Sequence, residues 1–202
     1  MHRVLFRAVA LSAILVATMT GVESIVDPTP ASAAPVHPDV TFTVFPHDSD
    51  DVGFSNSWGY ARSGGRRHQG TDIMSPKGTR IVAVAEGVVT KLGKHRRSGY
   101  FIRIDHGDGW FTTYMHLNND TFGSDDGKGG TWTAYFATLM EGDVVQAGQV
   151  IGYVGDSGNA EGTPPHTHFE IKLDGKTKNP YPWLKDVWER QQRFASESGI
   201  PL

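Results

Sequence analysis

His166-Thr167-His168-Phe169-Glu170-Ile171-Lys172-Leu173 decides how the rest of the chain is read. Apolar and polar residues alternate along it, the period of a strand with one buried face. Thr167, Phe169, Ile171 and Leu173 fall on one side and form the expected core face, while His166, His168, Glu170 and Lys172 fall on the other. Two imidazoles two positions apart on a strand stand about 6.6 Å apart at Cα. One ring of such a pair can serve a metal while the other serves whatever the metal activates. An ordinary polar sheet face alternates in the same way, so the pair gains meaning only from its company.

Two further stretches supply that company. In residues 110–117 (WFTTYMHL), alternation puts Phe111, Thr113, Met115 and Leu117 on one face and Trp110, Thr112, Tyr114 and His116 on the other. The expectation is that the His116 face adjoins that of His166 and His168. In His68-Gln69-Gly70-Thr71-Asp72, a fully extended chain would part the first and last residues by about 13 Å, too far for one metal. The chain must bend, and Gly70 is the residue that tolerates bending. His and Asp are both good zinc ligands, and two His with one carboxylate leave a fourth tetrahedral position open, the pattern of a catalytic zinc. The nine histidines and zero cysteines favour zinc over calcium or magnesium and exclude thiolate sites. His2, His37, His47 and His95 are expected on solvated surface, and His106 in a structural turn.

Around these stretches the chain reads as short strands joined by glycine turns. Residues 79–90 are rich in β-branched side chains with a bend at Glu86-Gly87, residues 100–105 form another strand, and Gly148 and Gly152 punctuate residues 144–154. Residues 183–196 carry the one helical pattern, with Trp183, Val187 and Arg190 about a turn apart. The expected class is all-β, an antiparallel sheet with a C-terminal helix. In a chain of 202 residues, 19 Lys plus Arg stand against 22 Asp plus Glu, a formal charge of −3, which removes the basic excess that nucleic-acid binding requires. Arg3 and Arg7 precede an apolar run over residues 8–19. That run makes about 18 Å of helix against a bilayer core of about 30 Å. With Ala31-Ser32-Ala33 behind it, the pattern is a secretory signal peptide over residues 1–33, cut after Ala33, with an uncleaved anchor as the alternative. Residues 34–47 hold Pro35 and Pro38 without periodicity and read as an arm or linker, residues 48–184 as the domain, and residues 185–202 as a helix and tail.

Taken in order, His68-x-x-x-Asp72, Tyr114-Met115-His116-Leu117 and His166-x-His168-Phe169-Glu170 resemble the M23 (lysostaphin- and LytM-type) peptidoglycan metalloendopeptidases. Residues 83–89 (AVAEGVV) resemble that family's strand before the hairpin, residues 141–152 its β-hammerhead segment, and residues 155–159 its glycine turn. The resemblance implies a β-sheet groove with a metal on its floor. It implies that His68, Asp72 and His168 hold a zinc ion and that His116 and His166 face the open position as the catalytic pair. It further implies a secreted enzyme that hydrolyses peptide bonds in peptidoglycan cross-links or stems. Its partners would then be wall peptides, with no nucleic acid, no membrane beyond the leader, and a monomer as the expected state.

Two departures stand out. Pro164-Pro165 replaces the family's common Gly-Pro ahead of the first His, removing an N–H donor and stiffening the approach. Residues 118–141 are longer than usual there and read either as a flap beside the groove or as a solvated insertion. Three rival readings are a non-catalytic wall-peptide-binding activator of another hydrolase, a lipoyl-type carrier, and a purely structural zinc. The first requires a lost zinc-site residue and the second a lysine at a tight hairpin tip. Neither feature is present.

Overall fold

Antiparallel pairing of short, β-branched segments builds the molecule, as alternation and glycine turns dictate. The computed structural model describes residues 41–199, so the expected leader and its cleavage point lie outside the described residues. The chain runs through β1 (Gly53–Phe54), β2 (Ala61–Arg62), β3 (Arg66–Arg67), β4 (Thr71–Met74), β5 (Arg80–Val82), β6 (Gly87–His95), β7 (Gly99–Asp105) and β8 (Trp110–Leu117). A long connection with one short helix, α1 (Thr131–Ala134), leads to β9 (Val144–Val145), β10 (Val150–Tyr153), β11 (His166–Leu173) and β12 (Lys176–Lys178). The helix α2 (Tyr181–Ser198) follows. The main sheet has the order β1-β4-β11-β8-β7-β6-β9, with β12 also on β11, while β5 pairs β10 and β2 pairs β3 in separate hairpin-like ribbons.

One face of this sheet carries the core. Phe169 is fully buried, with Tyr114 at 5.1 Å and Phe42 edge-on at 5.6 Å between ring centroids. Phe42 in turn lies 6.3 Å from Trp110 and 6.5 Å from Trp183 of α2. Ile102, Ile104 and Val89 extend the same buried layer along β7 and β6. The Tyr114 hydroxyl accepts a hydrogen bond from the Val84 N–H at 3.1 Å, so even the polar tip of this ring is satisfied in the interior.

The segment expected as an arm is, from Phe42 onward, built into the core. Phe42 and Phe45 are 1% and 2% exposed, and Phe45 packs on Trp188 at 4.8 Å. Two residues of α2 tie its backbone down: Arg190 Nη2 donates to the Phe42 carbonyl at 2.7 Å, and Gln191 Oε1 accepts from the Phe45 N–H at 2.6 Å. His47 is likewise not on the surface. It is buried, bonded to Ser75 Oγ at 2.8 Å and Thr167 Oγ1 at 2.9 Å, and burial lowers its pKa to about 3. No periodic signal marks these residues, because the segment is an irregular strap whose aromatic side chains alone are inserted.

The terminal helix extends two residues beyond the expected span at each end and crosses the expected 184/185 boundary. Pro182 lies in its first turn, where no intrahelical N–H is lost, and Gly199 at φ 68° closes it with an N–H to Ala195 O. Trp183, Leu184 and Val187 are its buried face. Residues 118–141 are anchored through Lys77, whose ammonium lies 2.7 Å from Asp120, 2.6 Å from Asp125 and 3.0 Å from Asp156. The loop carries buried Asn118 and Asp120 at its start, so it is neither a free flap nor wholly solvated. Replacing Phe42 by Ala should cost about 3–5 kcal/mol. The expected result is a lowered urea midpoint with an unchanged transition slope.

Candidate metal and catalytic centre

Cross-strand partners in an antiparallel pair project to the same face. The register of β11 with β4 sets His168 opposite Asp72, and that of β11 with β8 sets His168 opposite Met115. His168 and Asp72 therefore stand together on the face away from Phe169. His68 precedes β4 and swings in beside them. Asp72 Oδ1 lies 3.1 Å from His68 Nε2 and 2.9 Å from His168 Nδ1, and the two nitrogens are 2.9 Å apart. One ligand atom from each residue thus falls within 4.8 Å of the others.

The outer side of each ring is fixed. His68 Nδ1 is 3.0 Å from the Ser57 carbonyl, so a proton held there leaves the Nε2 lone pair aimed at the centre. His168 Nε2 is 3.1 Å from Glu170 Oε1, which leaves Nδ1 inward in the same way. Carboxylate or carbonyl partners on the far nitrogen are how metal-binding histidines are held and made more basic. The donor set of two imidazole nitrogens and one carboxylate oxygen, with lone pairs converging, fits a zinc ion. Burial alone would raise the Asp72 pKa, but hydrogen bonds from His168 and His68 pull it well below the ordinary carboxylate range. Burial opposes charge on His168 too, yet its bonds to Asp72 and Glu170 raise its pKa to about 9. In the metal-free protein that extra proton sits where a cation would bind.

His116 and His166 complete the group. Their rings are 5.1 Å apart, and His116 lies 6.1 Å from His168. All five residues line one groove of about 880 Å³. His116 reaches it by a route that alternation does not give. Tyr114 pairs with Phe169 on the core side, so Trp110, Thr112 and Tyr114 face the interior and Met115 faces the groove, the reverse of the expected link between that face and the His pair. A bulge corrects the direction: Tyr100 pairs Leu117 and Phe101 pairs Met115, so His116 has no partner on β7. With φ at 61° its side chain turns to the groove, a left-handed conformation that few non-glycine residues adopt. Its Nδ1 is held by Ser157 O at 2.8 Å, and burial lowers its pKa to about 4. His166 Nδ1 is held by Pro164 O at 2.9 Å, so the unusual Pro-Pro supplies a carbonyl that orients this ring.

Other parts of the site lay beyond the sequence reading. Ser57, the Ser157 carbonyl and Arg62 of β2, whose Nη2 meets Asp72 Oδ2 at 2.5 Å, had no role assigned from the sequence. Gly70 matters for a reason other than bending. A Cβ there would lie 2.6 Å from His168 Nε2 and 2.6 Å from the Phe169 carbonyl, so only glycine lets the backbone pass beneath the ring. His106 is structural as expected, stacked on Trp110 at 4.2 Å and bonded to Thr112 Oγ1 and Glu86 O. Among the residues lining the groove, none comes from 118–141.

Two outcomes follow from this geometry. Gly70→Ala should displace the His168 ring and weaken zinc binding about 10–100-fold with an unchanged circular dichroism spectrum, as loss of ligand support does elsewhere. In chelator-treated protein, the stability that protonated His168 contributes is complete below pH 6.5 and is lost as pH rises through about 9. The melting temperature of the metal-free protein should fall across that window, and His168→Gln should flatten the decline.

Residues 66–180 match peptidase family M23. The chain is 35% identical over 153 residues to the L-Ala–D-Glu endopeptidase of Bacillus subtilis, covering 70% of this chain and 42% of that protein. It is 32% identical over 115 residues to the peptidoglycan DD-endopeptidase ShyC of Vibrio cholerae, covering 57% of this chain and 22% of the relative. The chain thus spans less than half the length of either. Among solved structures, the catalytic domain of lysostaphin from Staphylococcus simulans superposes with a TM-score of 0.53 at 28% identity, covering 66% of this chain and 92% of that domain. A zinc-containing peptidase from Vibrio cholerae gives 0.52 at 26%, covering 69% and 39%. By sequence and by fold, the chain belongs to peptidase family M23.

Proposed function

We propose that this protein is a zinc metalloendopeptidase that acts outside the cytoplasm and hydrolyses peptide bonds in peptidoglycan cross-links or stem peptides. The observation that carries the reading is the pairing of two clusters on one groove floor. His68, Asp72 and His168 offer ligand atoms within 4.8 Å of one another, and His116 and His166 stand 5.1 Å apart beside them. The names of the relatives support the substrate class, and Arg3, Arg7 and the apolar run behind them support export.

His68, Asp72 and His168 would hold the metal. Zinc supplies Lewis acidity toward a carbonyl oxygen and acidifies water, which is the difficult part of amide hydrolysis at neutral pH. The remaining work falls to this chain's own groups. His116 and His166 each have Nδ1 bound to a backbone carbonyl, so each presents Nε2 toward the groove. His116 is neutral at pH 7 because burial holds its pKa near 4. One of these rings takes the proton from the attacking water on its free Nε2 and passes it to the leaving amine, and a ring that carries a proton on Nε2 as well as Nδ1 can donate a hydrogen bond to the developing oxyanion. The carbonyls on their Nδ1 atoms fix the orientation of both rings.

Digestion of purified peptidoglycan should release new amine termini, and a chelator should suppress them. His116→Ala should lower turnover at least about 10²-fold while the protein retains its zinc, since general acid–base groups contribute on that scale. Asp72→Ala should lose the metal itself, read by elemental analysis after dialysis. Zinc-loaded protein that releases no amine termini would overturn the assignment.

A further inference from the structure

The charge in the groove runs against that of the molecule. The chain as a whole is −3, yet the groove is lined by Arg62, Arg66, Arg67 and Arg97. Its only carboxylates are Asp72 and Glu170, and both are engaged by the site's histidines. Arg62 is occupied by Asp72. The other three have no acidic partner among the described residues. Arg66 donates to the carbonyl and hydroxyl of Ser63, and Arg67 donates to the Gly59 carbonyl at 3.2 Å. The Arg97 guanidinium has no hydrogen-bond or ion-pair partner among the described residues.

These arginines come from two places in the fold. Arg66 and Arg67 lie on β3, which leads into β4, whereas Arg97 lies in the turn between β6 and β7. In the sheet, β11 and β8 stand between β4 and β7. Positive charges without an acidic partner therefore flank the His168 and His116 positions from both sides of the groove. The β6–β7 turn is also tied to the site, since the Ser98 carbonyl accepts the His116 N–H at 2.9 Å. Unpaired guanidinium groups in a concave site are forked donors suited to carboxylates, and they raise the local concentration of anions.

Resting on the peptidase reading above, we propose that Arg66, Arg67 and Arg97 select acidic peptides. The substrate carries free carboxylates within a few residues of the scissile bond on both sides, as an unamidated stem peptide does. Neutral glycine bridges and amidated stems are disfavoured, because they leave the three guanidinium groups without an acidic partner. Selectivity then comes from the groove walls, while the metal and histidines treat every amide alike.

The test uses two synthetic stem peptides that are identical except that the carboxylates are free in one and carboxamides in the other. Zinc-loaded protein should cleave the acid form with a kcat/KM about five- to tenfold higher, the size that two partly exposed charge pairs supply together. Raising the salt concentration should shrink that ratio, because exposed charges are screened. The ratio should fall toward one in R66Q/R97Q. A ratio of one in the unmodified protein, or a ratio that neither salt nor the double variant moves, overturns the proposal while leaving the peptidase reading intact. Fluorescence anisotropy with both peptides separates the two failures. Tighter binding of the acid form without cleavage of either peptide would sustain the arginine role and sink the hydrolase. Equal binding, or none, sinks the arginine role.

Discussion

The register of β11 between β4 and β8 is the constraint from which the site follows. His168 opposite Asp72 puts an imidazole and a carboxylate on the groove face, and in the same stroke puts Phe169 opposite Thr71 and Tyr114 in the core. Side chains alternate with a period of two, so a slip by one residue would bury both histidines and expose Phe169 and Ile171. The hydrophobic penalty of such a slip, about 1.5–3 kcal/mol for each large apolar side chain left in water, is what holds the polar set in place. The placement of His168 beside Asp72 is thus fixed by packing on the opposite side of the sheet. The strap at Phe42 and the helix α2 serve that register, since both press on the Phe169 side.

On the groove face the balance is electrostatic. Asp72 Oδ1 accepts from His168 and lies 3.1 Å from His68 Nε2, while Oδ2 accepts from Arg62. Glu170 then holds the far nitrogen of His168. Five ionisable side chains in so small a volume would repel or strand one another if any were removed, which is why the pKa values of Asp72 and His168 move in opposite directions. A divalent cation at this position would displace the His168 Nδ1 proton and add one net positive charge beside Asp72. The same logic explains why metal affinity in such a site rises with pH: the cation competes with that proton.

The legible parts of the fold were those that obey a simple period. The alternation of β11 placed His166, His168 and Glu170 correctly, and the spacing of Trp183 and Val187 announced α2. His116 does reach the groove, but not by the face that alternation assigned it, because a bulge breaks that period and nothing local in Tyr114-Met115-His116-Leu117 advertises it. His47 looked like surface because it lies in an aperiodic strap, and its burial depends on Ser75 and Thr167, far away in sequence. Arg62 on the β2–β3 ribbon, Ser57 and the carbonyls of Ser157 and Pro164 escaped for a similar reason: they act through where peripheral segments dock, and docking is a tertiary property. Backbone carbonyls in particular carry no residue identity to read.

The bulge itself calls for a physical account, since a histidine at positive φ costs on the order of 1–3 kcal/mol and persists only when its surroundings over-determine it. The loop from Gly155 to Gly158 supplies that determination. The Ser157 hydroxyl donates to the Leu117 carbonyl at 2.5 Å and accepts the Tyr100 N–H at 3.0 Å, bridging the strands where His116 is left unpaired. Its carbonyl accepts His116 Nδ1–H, so one residue both closes the gap in the ladder and sets the ring's tautomer. The fit leaves no room for side chains on the neighbours: a Cβ at Gly99 would lie 2.1 Å from Ser157 Oγ, and one at Gly155 would lie 2.3 Å from the Asn118 Cα. The glycines here, which in the sequence look like mere punctuation, are what allow a loop to wedge into the sheet and hold a strained imidazole toward the groove. Rigidity at His116 is therefore a product of backbone packing, independent of the metal that its ring would work beside.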